Sequence, residues 1–167
     1  MLELGSVELS ESLALEPGDS RLAAVLESAD RHLTQSLLRN PANAIAWFDL
    51  ARVRALRGAE GRKVAEALLE SLYANPGLRT LWIARAELLM RYWRSLDEGE
   101  LQAVQAQLRA ISAGSPADRN KLFEVALGLG EMRMAAAAIA DDASARDTFD
   151  KLKAELGVQP TRRPGLN

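Results

Sequence analysis

Apolar positions recur through most of this chain at the spacing of α-helices. From Ser20 onward, Leu22, Val25, Leu26, Ala29, Leu33, Ser36 and Leu37 return every three or four residues and so share one helix face. Asp19 or Ser20 offers a side-chain oxygen to cap the first turn. Asn40-Pro41 ends the helix, because the residue before a proline is driven out of the α region. A second helix runs from about Asn43 to Arg57 with Trp47, Leu50, Ala51 and Val53 to Leu56 on its apolar side, and Gly58 with Gly61 marks the turn. Arg62 to Ala74 returns with Val64, Leu68, Ser71 and Leu72 inward, stopped by Asn75-Pro76-Gly77. Leu78 to Trp93 is apolar on almost every side, which predicts the most buried element.

The second half reads as more helices. Ser95-Leu96-Asp97-Glu98 has the spacing of a capping box. It opens a helix striped by Leu101, Val104, Leu108 and Ile111, opposite Gln102, Gln105 and Gln107. Gly114-Ser115-Pro116 interrupts, Ala117 to Leu129 and Met132 to Ala140 follow, and Ala145, Phe149, Leu152 and Leu156 stripe a closing helix. Residues 1–15 alternate apolar and polar loosely, at Val7, Leu9, Leu13 and Leu15, but no segment carries a strand signal. The ends are weaker: residues 1–18 read as a flexible acidic arm or one short helix, 19–156 as a helical domain, and 157–167, with its prolines and glycines, as a disordered tail.

One phrase occurs twice. Ser36-Leu37-Leu38-Arg39-Asn40-Pro41 precedes Trp47, and Ser71-Leu72-Tyr73-Ala74-Asn75-Pro76 precedes Trp82, every landmark displaced by 35 residues. A fixed period of that size belongs to stacked helical hairpins, which bury their faces against neighbours because one hairpin cannot bury its own. Trp47, Leu50, Ala51 and Gly58 on one helix, with Val64, Leu68, Ser71 and Pro76 on the next, resemble the tetratricopeptide-repeat family, and Ala29, Leu33, Ser36 and Pro41 fit the second helix of a preceding copy. In the following copy Trp82 and Ala86 hold their places, but Arg85 replaces the expected Leu and Trp93 the turn Gly, so the resemblance covers about residues 22–93. It implies an all-α, right-handed stack of antiparallel hairpins, an α-solenoid of about seven helices.

Composition narrows the chemistry. Without cysteine the chain has no thiol nucleophile, thiolate metal site or disulfide, and with His32 as the only histidine a transition-metal site has no ligand set. His32 lies between Ala29, Leu33 and Ser36 and reads as bordering the core. Glu98 with Glu100, and Asp141 with Asp142, fall at helix boundaries, where carboxylates interact with backbone donors and the helix dipole. Gly128-Leu129-Gly130 lacks the lysine and hydroxyl of a phosphate loop. No cofactor is expected, nor any chemistry of the chain's own. Residues 1–30 carry seven acids and one base, whereas 49–94 carry nine bases and five acids. Arg52, Arg54, Arg57, Arg62 and Lys63 belong to that basic stretch, yet Arg52 and Arg54 point about 200° apart on a helix, and a pI of 5.6 is low for a nucleic-acid binder. No apolar run reaches the length of a membrane span, and the acid-bearing N-terminus does not read as a signal peptide. The default location is cytoplasmic, or periplasmic-facing had an anchor preceded Met1.

The resemblance implies where a partner would lie. In tetratricopeptide proteins the first helices of the hairpins line a concave side, which here would present Ile45, Phe48, Asp49, Arg52, Ile83, Glu87, Met90 and Arg91 to a peptide or helix of another protein. Arg52 and Glu87 hold equivalent positions and are candidates to pair with each other. The carboxylate clamp of chaperone-tail binders is absent. Tyr92 and Trp93 are candidate exposed anchors, for a partner or for a second copy of the chain in a homodimer. Arg91-Tyr92-Trp93-Arg94-Ser95-Leu96 is similar to a turn in helical proteins of bacterial cell-envelope polysaccharide machinery, which implies an adaptor or scaffold in that setting. A different class stays open: a small enzyme, or a glycan- or nucleotide-binding protein, using the inner face near Trp93 and Glu87.

Overall fold

The structure, a computed structural model, describes residues 2–15 and 19–155. Among them are nine α-helices: α1 (Leu2–Ala14), α2 (Leu22–Arg39), α3 (Ala44–Leu56), α4 (Gly61–Ala74), α5 (Trp82–Tyr92), α6 (Glu98–Ser112), α7 (Pro116–Leu129), α8 (Met132–Ala138) and α9 (Ala143–Glu155). The count exceeds the seven expected, chiefly because the N-terminal segment is a helix. The tail expected at 157–167 lies outside the described residues. The chain divides within α6 into two compact units, Met1–Ala103 and Val104–Asn167. In the first, helices pack mainly against their neighbours in sequence, as in a helical-repeat arrangement, whereas in the second α7 packs on both α8 and α9.

In the first unit, Asn43 caps α3 by accepting hydrogen bonds from the N–H groups of Ile45 and Ala46. The chain then reverses at Gly58, whose φ of 67° strains any residue with a Cβ. Antiparallel α3 and α4 are joined at both ends: Arg54 Nη1 donates to the Lys63 carbonyl at 3.1 Å, and Ser71 Oγ to the Ala44 carbonyl at 2.6 Å. Between them Ala46, Leu50, Ala51, Val53, Val64, Ala65, Ala67 and Leu68 are buried, joined by Ala29 and Leu33 of α2. Burial of this layer stabilises the unit at about 25 cal/mol per Å² of apolar area removed from water.

Two expectations change here. The Leu78–Trp93 segment is not the most buried element: it starts as a 3₁₀ turn at Arg79–Leu81, ends as another at Trp93–Ser95, and α5 buries only Arg85, Ala86, Leu89 and Met90. More of α3 and α4 is buried, because each packs on helices at two sides. The arm at 1–18, in turn, contains α1, which packs on α2 and also touches α3. Its inward face is Gly5, Leu9 and Ser12, a line of mostly small residues, while Leu4, Val7 and Leu13 are exposed. A Cβ at Gly5 would come within 2.7 Å of Leu33 Cγ, so glycine sets how closely α1 approaches α2. Glu8 fixes the register, accepting from Ser28 Oγ at 2.7 Å and meeting His32 Nδ1 at 2.8 Å.

The capping box at the start of α6 is displaced by two residues from Ser95–Glu98. Asp97 Oδ1 accepts from the Glu100 N–H and Glu100 Oε2 from the Asp97 N–H, both at 2.8 Å. Arg62 grips the same Glu100 at 2.6 and 2.8 Å and donates to the Ser95 carbonyl at 3.2 Å, tying α4 to this cap. Gly61 lets the segments meet, since a Cβ there would lie 2.6 Å from Ser95 Oγ.

In the second unit, Ser115 caps α7 and Gly130, at φ 71°, ends it in the left-handed conformation. Phe123 of α7 packs on Phe149 of α9 with ring centroids 4.8 Å apart, and Leu122, Ala126, Ala135, Ile139 and Ala145 complete that core. In α6 Gln107 is buried beside Val104, Leu108 and Ile111 instead of lying on the solvated side with Gln102. Its place at i+3 from Val104 and i−4 from Ile111 puts it on the inner stripe, whatever its polarity.

Candidate functional site

The repeated phrase becomes a repeated joint. Trp47 Nε1 donates to the Pro41 carbonyl at 2.7 Å, and Trp82 Nε1 to the Pro76 carbonyl at 2.9 Å. Asn40 N–H bonds the Ser36 carbonyl and Asn75 N–H the Ser71 carbonyl, closing each preceding helix in the same way. Both indoles are half-buried rather than fully in the core, because each N–H needs a partner and finds it in the loop. Tryptophan thus pins the helix-to-helix loop while its ring covers the junction.

The two joints differ at one position. Leu50 lies at the first and Arg85, fully buried, at the corresponding place of the second. Arg85 Nη2 donates to Ser71 Oγ at 3.1 Å and Nη1 to the Asn75 carbonyl at 3.3 Å, while Nε has no partner. Burial lowers its pKa to about 10. The carbonyl end of α4 supplies the compensating partial negative charge in place of a carboxylate.

On the expected inner side, the structure gathers only part of the candidate set. Phe48, Arg52, Ala55 and Leu56 of α3, with Ala84, Glu87 and Leu88 of α5 and Leu13 of α1, line a pocket of about 220 Å³. Arg52 and Glu87 both reach it without pairing with each other: Arg52 lies 3.7 Å from Asp49, and Glu87 bonds Arg91 at 2.7 Å. Asp49 is not open to a partner, since α1 covers it and Ser6 Oγ donates to its carboxylate at 3.0 Å. That burial raises the Asp49 pKa, against the pull of Ser6 and Arg52. Met90 is fully buried, Phe48 nearly so, Ile83 half-buried, and Ile45 and Arg91 exposed. Tyr92 and Trp93, the candidate anchors, are half-buried, and Trp93 Nε1 is enclosed with no hydrogen-bond partner. Asp49 is covered by α1, a helix outside the repeat pattern, while Met90 lies with Ala86 and Leu89 on the buried side of α5.

No family model, curated protein or solved structure matches this chain. Among the described residues, no three histidine or carboxylate side chains converge as a metal site would require, and no helix is long and apolar enough to cross a membrane.

A second pocket, which the sequence did not single out, lies on the far side of α3. Thr34, Leu37, Leu38 and Pro41 face Trp47, Leu50 and Arg54 across a volume of about 320 Å³. The available signal was Leu38, an exposed leucine within the repeated phrase.

Proposed function

We propose that this protein is a tetratricopeptide-like hairpin stack, right-handed as in that family, that holds a segment of another protein and catalyses nothing itself. The observation carrying this reading is the pair of equivalent joints at Trp47–Pro41 and Trp82–Pro76. They repeat one helix-to-helix geometry along the chain, and such repetition builds an extended face rather than an enclosed site. The segment would sit against the pocket of Phe48, Arg52, Leu56, Glu87 and Leu88, with apolar groups on Leu56 and Leu88 and charges on Arg52 and Glu87 setting register. The proposed setting, bacterial cell-envelope polysaccharide assembly, rests solely on the resemblance carried by Arg91 to Leu96.

Site-specific photocrosslinking in cells tests it. A crosslinker at Leu56 or Glu87 is expected to give one protein adduct that a crosslinker at Lys121 does not, and Arg52→Glu to remove it. Identical adducts from all three positions, or none from Leu56 and Glu87, would refute the inner-face reading.

A further inference from the structure

The pocket beneath Trp47 belongs to the other side of α3 and is independent of the inner face. Its walls are apolar. Leu37 and Leu50 are buried at its base, Pro41 and the Trp47 ring close one end, and Leu38 stands 81% exposed at its lip. Because the indole N–H is committed to the Pro41 carbonyl, the ring offers this pocket a surface without a free donor. About 320 Å³ lies at the small end of the range for ligand sites, with room for one aromatic or branched side chain rather than a cofactor.

The charge at its rim is net positive: among the described residues the one carboxylate that meets a lining residue, Asp30, which accepts from Thr34 Oγ1 at 3.4 Å, is itself paired with Arg57. Arg54 lines the pocket and Arg31 lies one helical turn before Thr34 on α2. Arg54 donates to the Lys63 carbonyl, and among the described residues no carboxylate meets Arg54 or Arg31. Their neighbours differ: Arg52 is paired with Asp49, Arg57 with Asp30, Arg62 with Glu66 and Glu100, and Arg91 with Glu87. The corresponding place in the second copy is taken by the buried Arg85.

We infer that this pocket binds a partner protein's acidic segment through one apolar side chain. The side chain fills the space against Leu37, Leu50 and Trp47, and flanking carboxylates meet Arg54 and Arg31. Leu38 covers the inserted group, and Trp82 does not serve the same role: the Arg79 guanidinium stands 5.0 Å from its ring centroid and the position equivalent to Leu50 is the buried Arg85.

The test is a nuclear magnetic resonance titration of the ¹⁵N-labelled full chain with two short capped peptides, each a phenylalanine between paired aspartates or paired lysines. The acidic peptide is expected to shift the Trp47 indole signal saturably while leaving Trp82 in place, and to bind about ten-fold more tightly than the basic one. Arg54→Glu should reverse that preference. Leu38→Asp, at an exposed site that folding does not need, should abolish the shift, and Arg52→Glu on the inner face should leave it unchanged. The proposal is overturned by no saturable shift, by equal shifts at Trp47 and Trp82, or by equal affinity for both peptides. A Trp47 shift that grows with protein concentration before any peptide is added would assign the pocket to a second copy of the chain, and likewise overturn it.

Discussion

Trp47 and Trp82 hold equivalent loops with the same hydrogen bond, yet the residue three positions on is Leu50, at the wall of an open apolar pocket, in one copy and Arg85, a buried guanidinium, in the other. The difference separates what the repeat needs from what each copy is free to change. The indole-to-proline bond, the small residue at Ala51 or Ala86 and the buried pair Leu33 and Leu68 are common to both and make the stack. The position three after the tryptophan is not fixed. A leucine there leaves room for a ligand; an arginine reaches Ser71 Oγ and the Asn75 carbonyl and couples α5 to the end of α4.

Equivalence of the copies is most exposed to large core deletions. Leu33→Ala and Leu68→Ala each empty a fully buried site and are expected to cost about 3 kcal/mol apiece in urea denaturation. Costs differing more than about two-fold would mean that the copies are not matched. Next comes the divergent position: Arg85→Leu should raise stability by about 2 kcal/mol, since a well-packed hydrophobe commonly outperforms a buried ion. A loss instead would show that the bonds to Ser71 and Asn75 outweigh the desolvation of the guanidinium. Trp47→Phe and Trp82→Phe each leave a proline carbonyl without its donor and should cost about 1 kcal/mol, measured by thermal unfolding, with the two values alike.

The smallest effect is electrostatic and separates the second copy from the first. The bidentate Arg62 bond holds the Glu100 pKa below the usual glutamate value, so its contribution is full above the unfolded-state pKa and is lost as pH falls through the lowered one. Asp49 runs the other way. Burial raises its pKa, so its charge disfavours folding at neutral pH, and that penalty disappears on protonation. Acid titration of stability should therefore be shallower for Glu100→Gln than for the wild type, while Asp49→Asn should be at least as stable as wild type at pH 7. Parallel acid profiles for the wild type and Glu100→Gln would remove the role given to Arg62.

Much of this was legible along the chain. Proline, asparagine and glycine placed the limits of α2, α3 and α4 within about two residues, because those residues act on the backbone locally. The features that were not legible depend on contacts distant in sequence. The face of α1 is written in Gly5 and Ser12, whose smallness matters only against Leu33 of α2, so an apolar pattern search passes over it. The cap of α6 fell on Asp97 because Glu100 is also drawn to Arg62, which the local spelling at Ser95 does not reveal. Of the inner-face candidates, Arg52 and Glu87 reached one pocket with Phe48 at its wall, whereas Met90 and Asp49 were claimed by packing.

The central claim is that two segments 35 residues apart form the same joint, and indole contacts measured in solution test it most directly. A ¹⁵N-edited NOE spectrum should connect the Trp47 indole proton to Pro41 and the Trp82 indole proton to Pro76, with both protons slow to exchange. An indole that exchanges freely, or lacks its proline contact while the other retains one, would show that the repetition in sequence is not repeated in space.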